Sequence, residues 1–165
     1  MAITLARGVP VATAGDPPAV GTRLPSFTLT LPDLTDVTLE DFAGRTLVLN
    51  IFPSVDTGVC AMSVRRFNEL AAGLPETTVL CVSQDLPFAL GRFCGAEGIA
   101  DVVVSSAFRS SFGQDYGVAL TDGPMRGLLA RTVVVAGPDG VVRHVQVTES
   151  TGNEPDYDAA VAAVG

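Results

Sequence analysis

The 165-residue chain has no tryptophan, one histidine (His144) and three cysteines, Cys60, Cys81 and Cys94. Each shortage excludes a class of chemistry. A closed zinc site needs about four N, S or O ligands, and one histidine with three separated cysteines, none in a Cys-x-x-Cys pair, does not supply them. The odd cysteine count argues against a secreted disulfide scaffold. The N-terminus, MAITLARGVP, also lacks the basic segment and apolar run of a secretory signal. No apolar stretch approaches the roughly 20 residues of a membrane helix. Basic side chains are scarce, 10 against 18 acidic ones for a formal net charge of −8. No basic run meets a phosphate backbone, so nucleic-acid binding is disfavoured. The expectation is a soluble cytoplasmic protein, without membrane or nucleic-acid partners.

What the chain does have is apolar material. It is 47% hydrophobic and 17% charged, enough for one well-packed core. The length suits a single domain over residues 1–165. With aromatics at 6%, that core must be built largely from Val, Leu and Ala.

Pattern along the chain predicts a short β-hairpin over Ile3–Ala12, then a Gly- and Pro-rich loop over Ala14–Pro25. Phe27–Leu31 alternates like a half-exposed strand, with Val37–Leu39 pairing near it and a short helical turn at Glu40–Phe42. Thr46–Phe52 is nearly continuous in apolar residues and reads as a central strand buried on both faces. Pro53, which cannot donate to a ladder, stops it. An amphipathic helix follows over Val59–Leu74, with Val64, Phe67, Ala71 and Leu74 on one stripe. Next come a strand at Thr78–Val82 and a helix ending near Cys94, with Asp85 as its expected cap and Pro87 in its first turn. A strand at Val102–Ser105 precedes an aromatic segment, Phe108–Tyr116. Two strands, Leu129–Ala136 and Val141–Val147, are joined by Gly137–Gly140, and Asp156–Val164 forms a final helix. Parallel strands with helical crossovers, closed by an antiparallel hairpin, give an α/β chain of thioredoxin-like fold.

Cys60 stands where the buried strand gives way to the amphipathic helix. Thr57 falls near the N-cap, which puts Cys60 in the first turn, where unpaired N–H groups and the positive end of the helix dipole favour a thiolate. Cys60 also continues the stripe of Val64, Phe67 and Ala71, so its sulfur faces a pocket rather than bulk water. Arg131 enters the apolar run LLARTVVV, where a charge is expensive without a partner. A thiolate would be a suitable one.

The segment PSVDTGVC, residues 53–60, matches the Pro-x-x-x-Thr-x-x-Cys pattern of peroxiredoxins. Asn50–Cys60 (NIFPSVDTGVC), Cys81–Cys94 (CVSQDLPFALGRFC) and Gly127–Val135 (GLLARTVVV) resemble the thiol peroxidase subgroup of that family, and the resemblance covers essentially the whole chain. It implies the peroxiredoxin variant of the thioredoxin fold with an N-terminal β-hairpin, a homodimer, and reduction by thioredoxin. It implies reduction of hydrogen peroxide and organic hydroperoxides through a redox-active cysteine pair, without a cofactor. Cys60 then matches the peroxidatic cysteine and Cys94 the resolving one. Thr57 matches the hydroxyl that positions the peroxide, Pro53 the shielding proline, and Arg131 the arginine that stabilises the thiolate and binds peroxide. No cysteine follows Cys94 and none shares the Cys60 helix, which agrees with an intramolecular disulfide. Forming it requires local unwinding around one or both cysteines.

The sequence places the other candidates in lesser roles. Cys81, within TVLCV, reads as a core thiol, and His144, within VVRHVQV, as a hairpin residue. Phe108–Tyr116 carries more aromatics than a lone loop needs and is the candidate dimer contact. Two other functions use the same residues. One is a redox sensor or binding module without fast turnover. The other is a cysteine hydrolase, which would need His144 beside Cys60, or a structural domain without chemistry.

Overall fold

The computed structural model describes residues 1–165. In chain order the strands and helices are β1 (Ile3–Ala6), β2 (Val9–Ala12), β3 (Thr28–Thr30), β4 (Asp36–Thr38), β5 (Thr46–Ile51), α1 (Gly58–Ala71), β6 (Thr77–Ser83), α2 (Pro87–Glu97), β7 (Val103–Ser106), α3 (Phe112–Asp115), β8 (Thr132–Ala136), β9 (Val142–Val147) and α4 (Tyr157–Val164). Seven strands form one sheet in the order β4-β3-β7-β6-β5-β8-β9. Strand β6 runs parallel to β5 and β7, with α1 and α2 as the crossovers, and β8 and β9 extend the sheet antiparallel. The hairpin β1–β2 stands apart as its own two-stranded sheet, turned at Arg7-Gly8, both with positive φ (52° and 79°).

All six residues of β5 are buried, as a run without a polar face requires. Alternation sorts them. Leu47, Leu49 and Ile51 join Leu80, Val82, Phe112 and Tyr116 on one side of the sheet. Val48 joins Val79, Cys81, Val133 and Val135 on the other, under Cys60, Val64 and Phe67 of α1 and Leu90 and Phe93 of α2. The same alternation turns Asn50 and Arg131 toward the α1 side, and this is what brings two polar side chains beneath Cys60.

Five expectations need correction. Asp85 does not cap α2: Leu86 is the N-cap, with no side-chain cap bond, and the Asp85 carboxylate faces the loop after β5 instead. The segment Phe108–Tyr116 is not an aromatic surface. Phe112 and Tyr116 are stacked at 4.2 Å inside the core, and only Phe108 is exposed. The predicted strand from Leu129 begins at Thr132, because Leu129 and Arg131 serve other neighbours first. Helix α1 stops at Ala71, and α2 runs on to Glu97, where Gly98 in the left-handed region (φ 65°) closes it.

Tyr116 is followed by Gly117 with φ 66°, against the backbone of Asp16. A Cβ there would collide with that backbone as well as carry the left-handed penalty of about 1–2 kcal/mol. The variant Gly117→Ala is therefore expected to lose at least that much stability, read as a melting temperature lower by several degrees. An unchanged melting temperature would contradict the close approach.

Candidate active site

The site is assembled where β5 ends. Pro53 is buried and breaks the ladder. The chain turns through Ser54–Asp56 and starts α1 at Gly58 with Thr57 as N-cap. The Thr57 hydroxyl oxygen accepts a hydrogen bond from the Cys60 backbone N–H at 3.3 Å and donates its proton to the Ser54 carbonyl at 3.2 Å. Cys60 thus sits on the third residue of a 14-residue helix, at the positive end of its dipole. It is 1% exposed.

Arg131, also 1% exposed, comes from the segment that leads into β8. Its Nη2 lies 2.9 Å from the Cys60 Sγ. Two further donations fix the plane of the guanidinium: Nε to the Thr151 carbonyl at 3.1 Å and Nη2 to the same oxygen at 3.0 Å. Nη1 reaches the Ser63 hydroxyl at 3.5 Å. No carboxylate pairs with Arg131: the ion pairs of Arg65, Arg66, Arg92 and Arg109 all lie elsewhere, on exposed side chains. A buried charge without a counter-charge is costly, and the Cys60 sulfur at 2.9 Å is the one group in contact with this guanidinium that can carry a negative charge.

Ser63, one turn after Cys60, is a residue that the apolar-stripe reading passed over. It is fully buried, donates to the Cys60 carbonyl at 2.8 Å and accepts from Asn50 Nδ2 at 3.3 Å. Its signal was a lone serine on an otherwise apolar helix face, and for Asn50 a lone amide in TLVLNI. The Thr151 carbonyl had no signal, because a backbone group carries no residue type. Thr151 is held by the N-terminal hairpin through its N–H to the Leu5 carbonyl (2.9 Å).

A cleft of about 420 Å³ opens beside these groups, lined by Arg7, Pro53, Thr57, Val59, Met125 and Leu128 among others. Its walls are mixed, with the apolar Pro53, Val59, Met125 and Leu128 beside Arg7 and Thr57.

The other two thiols differ. Cys81 lies in β6, fully buried, and loss of water pushes its thiol up to about 12, against a weak opposing contact from Asn50 Nδ2. Cys94 is half-buried on α2 against the same apolar layer, and burial raises its pKa above the ordinary thiol value too. All three cysteines are free. His144 lies opposite Val135, with Nε2 unpartnered, and makes no bond to Cys60. The base that a cysteine hydrolase requires is therefore not in place.

The Redoxin family model matches residues 19–161. The chain is 57% identical over 164 residues to the thiol peroxidase of Corynebacterium glutamicum, covering 99% of each. It is 56% identical over 163 residues to that of Mycobacterium tuberculosis, covering 99% of this chain and 98% of the other. Among solved structures it superposes on a peroxiredoxin-like protein from Aquifex aeolicus with a TM-score of 0.93 at 36% identity, over 98% of this chain and 95% of that one. The thiol peroxidase from Chromobacterium violaceum shares the fold, with a TM-score of 0.89 at 24% identity over 95% and 91% of the two chains. The chain belongs to the Redoxin family. Within it, this is a peroxiredoxin of the thiol peroxidase group, an oxidoreductase on a thioredoxin-like fold.

At pH 7 a thiol displaced to about 12 leaves roughly one thiolate in 10⁵. Iodoacetamide labelling of the reduced protein is therefore expected to spare Cys81 at pH 7–9. Labelling of Cys94 should increase steadily with pH, because its raised value keeps it protonated at neutrality. Peptide mapping reads both. Rapid labelling of Cys81 in folded protein at pH 7 would contradict its burial.

Proposed function

We propose that Cys60 reduces hydrogen peroxide and organic hydroperoxides and that Cys94 resolves the oxidised product. The observation that carries this reading is the 2.9 Å contact between Arg131 Nη2 and Cys60 Sγ, both buried at the start of α1. The Cys60 thiolate attacks the terminal oxygen of the hydroperoxide. A sulfur–oxygen bond forms, the oxygen–oxygen bond breaks, and the departing oxygen takes a proton and leaves as an alcohol or water. Negative charge grows on that leaving oxygen, and the Arg131 guanidinium with the N–H groups of the helix start are the donors that meet it. Thr57, whose proton is committed to the Ser54 carbonyl, offers a lone pair to the peroxide O–H. Pro53 walls the cleft and keeps bulk water from the sulfur.

Cys60 is now a sulfenic acid, oxidised by two electrons. The Cys94 sulfur attacks it, the disulfide forms, and the hydroxyl leaves as water with the Cys94 proton. A thioredoxin-type dithiol then exchanges with the disulfide and returns both thiols, so the cycle needs no cofactor. For a sulfur–sulfur bond of about 2.05 Å to form, one helix end must move. Helix α2 is the better candidate. Beyond its buried Pro87, Leu90 and Phe93, it is tied to the α1 region by two exposed ion pairs, Arg92–Asp56 (3.4 Å) and Arg65–Glu97 (3.2 Å). Such pairs contribute about 0–1 kcal/mol each, so release is inexpensive.

We further read the 165 residues as one domain that pairs as a homodimer in the cytoplasm. Exposed Leu86 and Phe88 at the start of α2, with Phe108 and Leu34, are among the apolar side chains available for pairing. No helix is long and apolar enough to cross a membrane. A solution mass of a single 17.0 kDa chain would remove the dimer.

One equivalent of peroxide added to reduced protein is expected to remove two hydrogens and give a Cys60–Cys94 crosslink in the peptide map. The variant Cys94→Ser should stop at Cys60 sulfenic acid, trapped by dimedone. An unchanged mass, or a crosslink that omits Cys60, would overturn the assignment. Oxidation-dependent partner binding with a slow peroxide reaction would favour the sensor reading instead.

A further inference from the structure

The loop between β5 and α1 carries Pro53 and Thr57 up to the turn that holds Cys60; Phe52, Pro53 and Val55 are buried, but its last two residues, Asp56 and Thr57, are exposed, as is Gly58 at the start of α1. Something must hold it. The Asp85 carboxylate, just past the end of β6, accepts three hydrogen bonds: from Ser54 Oγ at 2.7 Å, from the Val55 N–H at 2.9 Å and from Ser83 Oγ at 2.7 Å. Asp85 is itself pinned to the sheet. Its N–H donates to Ser83 Oγ at 3.3 Å and its carbonyl accepts from Ser106 Oγ at the end of β7.

From Ser54 the chain of contacts runs on to Thr57. The Ser54 hydroxyl oxygen accepts from the Asp56 N–H at 3.1 Å, and the Ser54 carbonyl accepts both the Thr57 N–H and the Thr57 hydroxyl at 3.2 Å each. The hydroxyl proton of Thr57 is therefore turned away from the cleft, and its lone pairs are left for the Cys60 N–H and for substrate. A carboxylate suits the Ser54 end of this relay because it only accepts. All three of its partners are donors, and charge-assisted hydrogen bonds are the stronger kind.

We propose that Asp85 is a positioning residue for the peroxidase reaction: acting through Ser54, it fixes the direction in which the Thr57 hydroxyl meets the peroxide. Asp85 makes no contact with Cys60 or Arg131 and does not touch the reacting atoms. Its anchorage to β6 and β7 rather than to α2 also lets α2 move for disulfide formation while the Thr57 loop stays in place. This inference rests on the assignment of Cys60 as the peroxidatic cysteine.

The test compares Asp85→Asn, Ser54→Ala and Thr57→Val, with the double variants, in full-length reduced protein. Three rates are measured by quench and mass spectrometry. They are Cys60 oxidation at varied peroxide, the later appearance of the Cys60–Cys94 disulfide, and Cys60 alkylation by iodoacetamide, which needs the sulfur but not Thr57. Displacing a positioned group by about 1 Å can cost on the order of 10²-fold. Asp85→Asn is expected to slow Cys60 oxidation by about 10- to 100-fold, with disulfide formation and alkylation changed by less than about 3-fold. On the Thr57→Val background the same change should have almost no further effect, as non-additivity within one relay requires. Ser54→Ala, which deletes one hydroxyl, should show the same selectivity in weaker form, and it decides the matter should Asp85→Asn fail to fold. Unchanged peroxide oxidation, an equal fall in alkylation, or full additivity with Thr57→Val would overturn the proposal. Failure of wild-type Cys60 to oxidise would instead overturn the assignment on which it rests.

Discussion

Arg131 is a permanent charge in the core of a protein that gives it no acid. Taking a guanidinium out of water is repaid only by an opposite charge and by hydrogen bonds of good geometry. Here the bonds come from the Thr151 carbonyl, and the one group in contact that can carry the opposite charge is the Cys60 sulfur. The arrangement proposed to make the sulfur a nucleophile is thus the same one that satisfies the buried arginine. Cys60 supplies the other half of the balance by standing in the first turn of α1, where the helix has N–H groups without partners.

The surrounding fold serves that pair from several sides. Alternation along β5 and β8 points Asn50 and Arg131 toward α1, and Ser63 links both to the Cys60 carbonyl. The N-terminal hairpin contributes from a distance. It holds the Thr148–Thr151 segment through Thr4 Oγ1 to the Thr148 carbonyl and through Leu5, and so fixes the carbonyl that orients the guanidinium. Its turn residue Arg7 also lines the cleft. An appendage outside the main sheet is in this way part of the wall and the support of the site.

Much of this was legible in the chain itself, and for identifiable reasons. An unbroken apolar strand, a proline, a cap residue and a helical stripe are local signals, and together they located β5, Pro53, Thr57 and the inward-facing Cys60. Arg131 was legible as a charge in an apolar run. Asp85 was misread because an acid before a Pro-led helix is ordinarily a cap. The structure turns it away, since the neighbouring loop offers two donors and Ser83 of β6 a third, while α2 offers none in reach. Phe112 and Tyr116 were misplaced for a related reason: α3 is one turn long and has no periodicity from which burial can be read. The Thr151 carbonyl and the hairpin behind it depend on contacts more than 140 residues apart in sequence, which no local pattern encodes.

The most direct test of this account is the second-order rate constant for Cys60 oxidation by peroxide at pH 7 in Arg131→Met, a change that keeps the buried volume and removes the charge. The account predicts a fall of about 10²- to 10³-fold with the fold retained, the size associated with loss of one preorganised donor. A rate within about 3-fold of wild type in a folded variant would contradict it, and would mean that the helix start alone activates the sulfur.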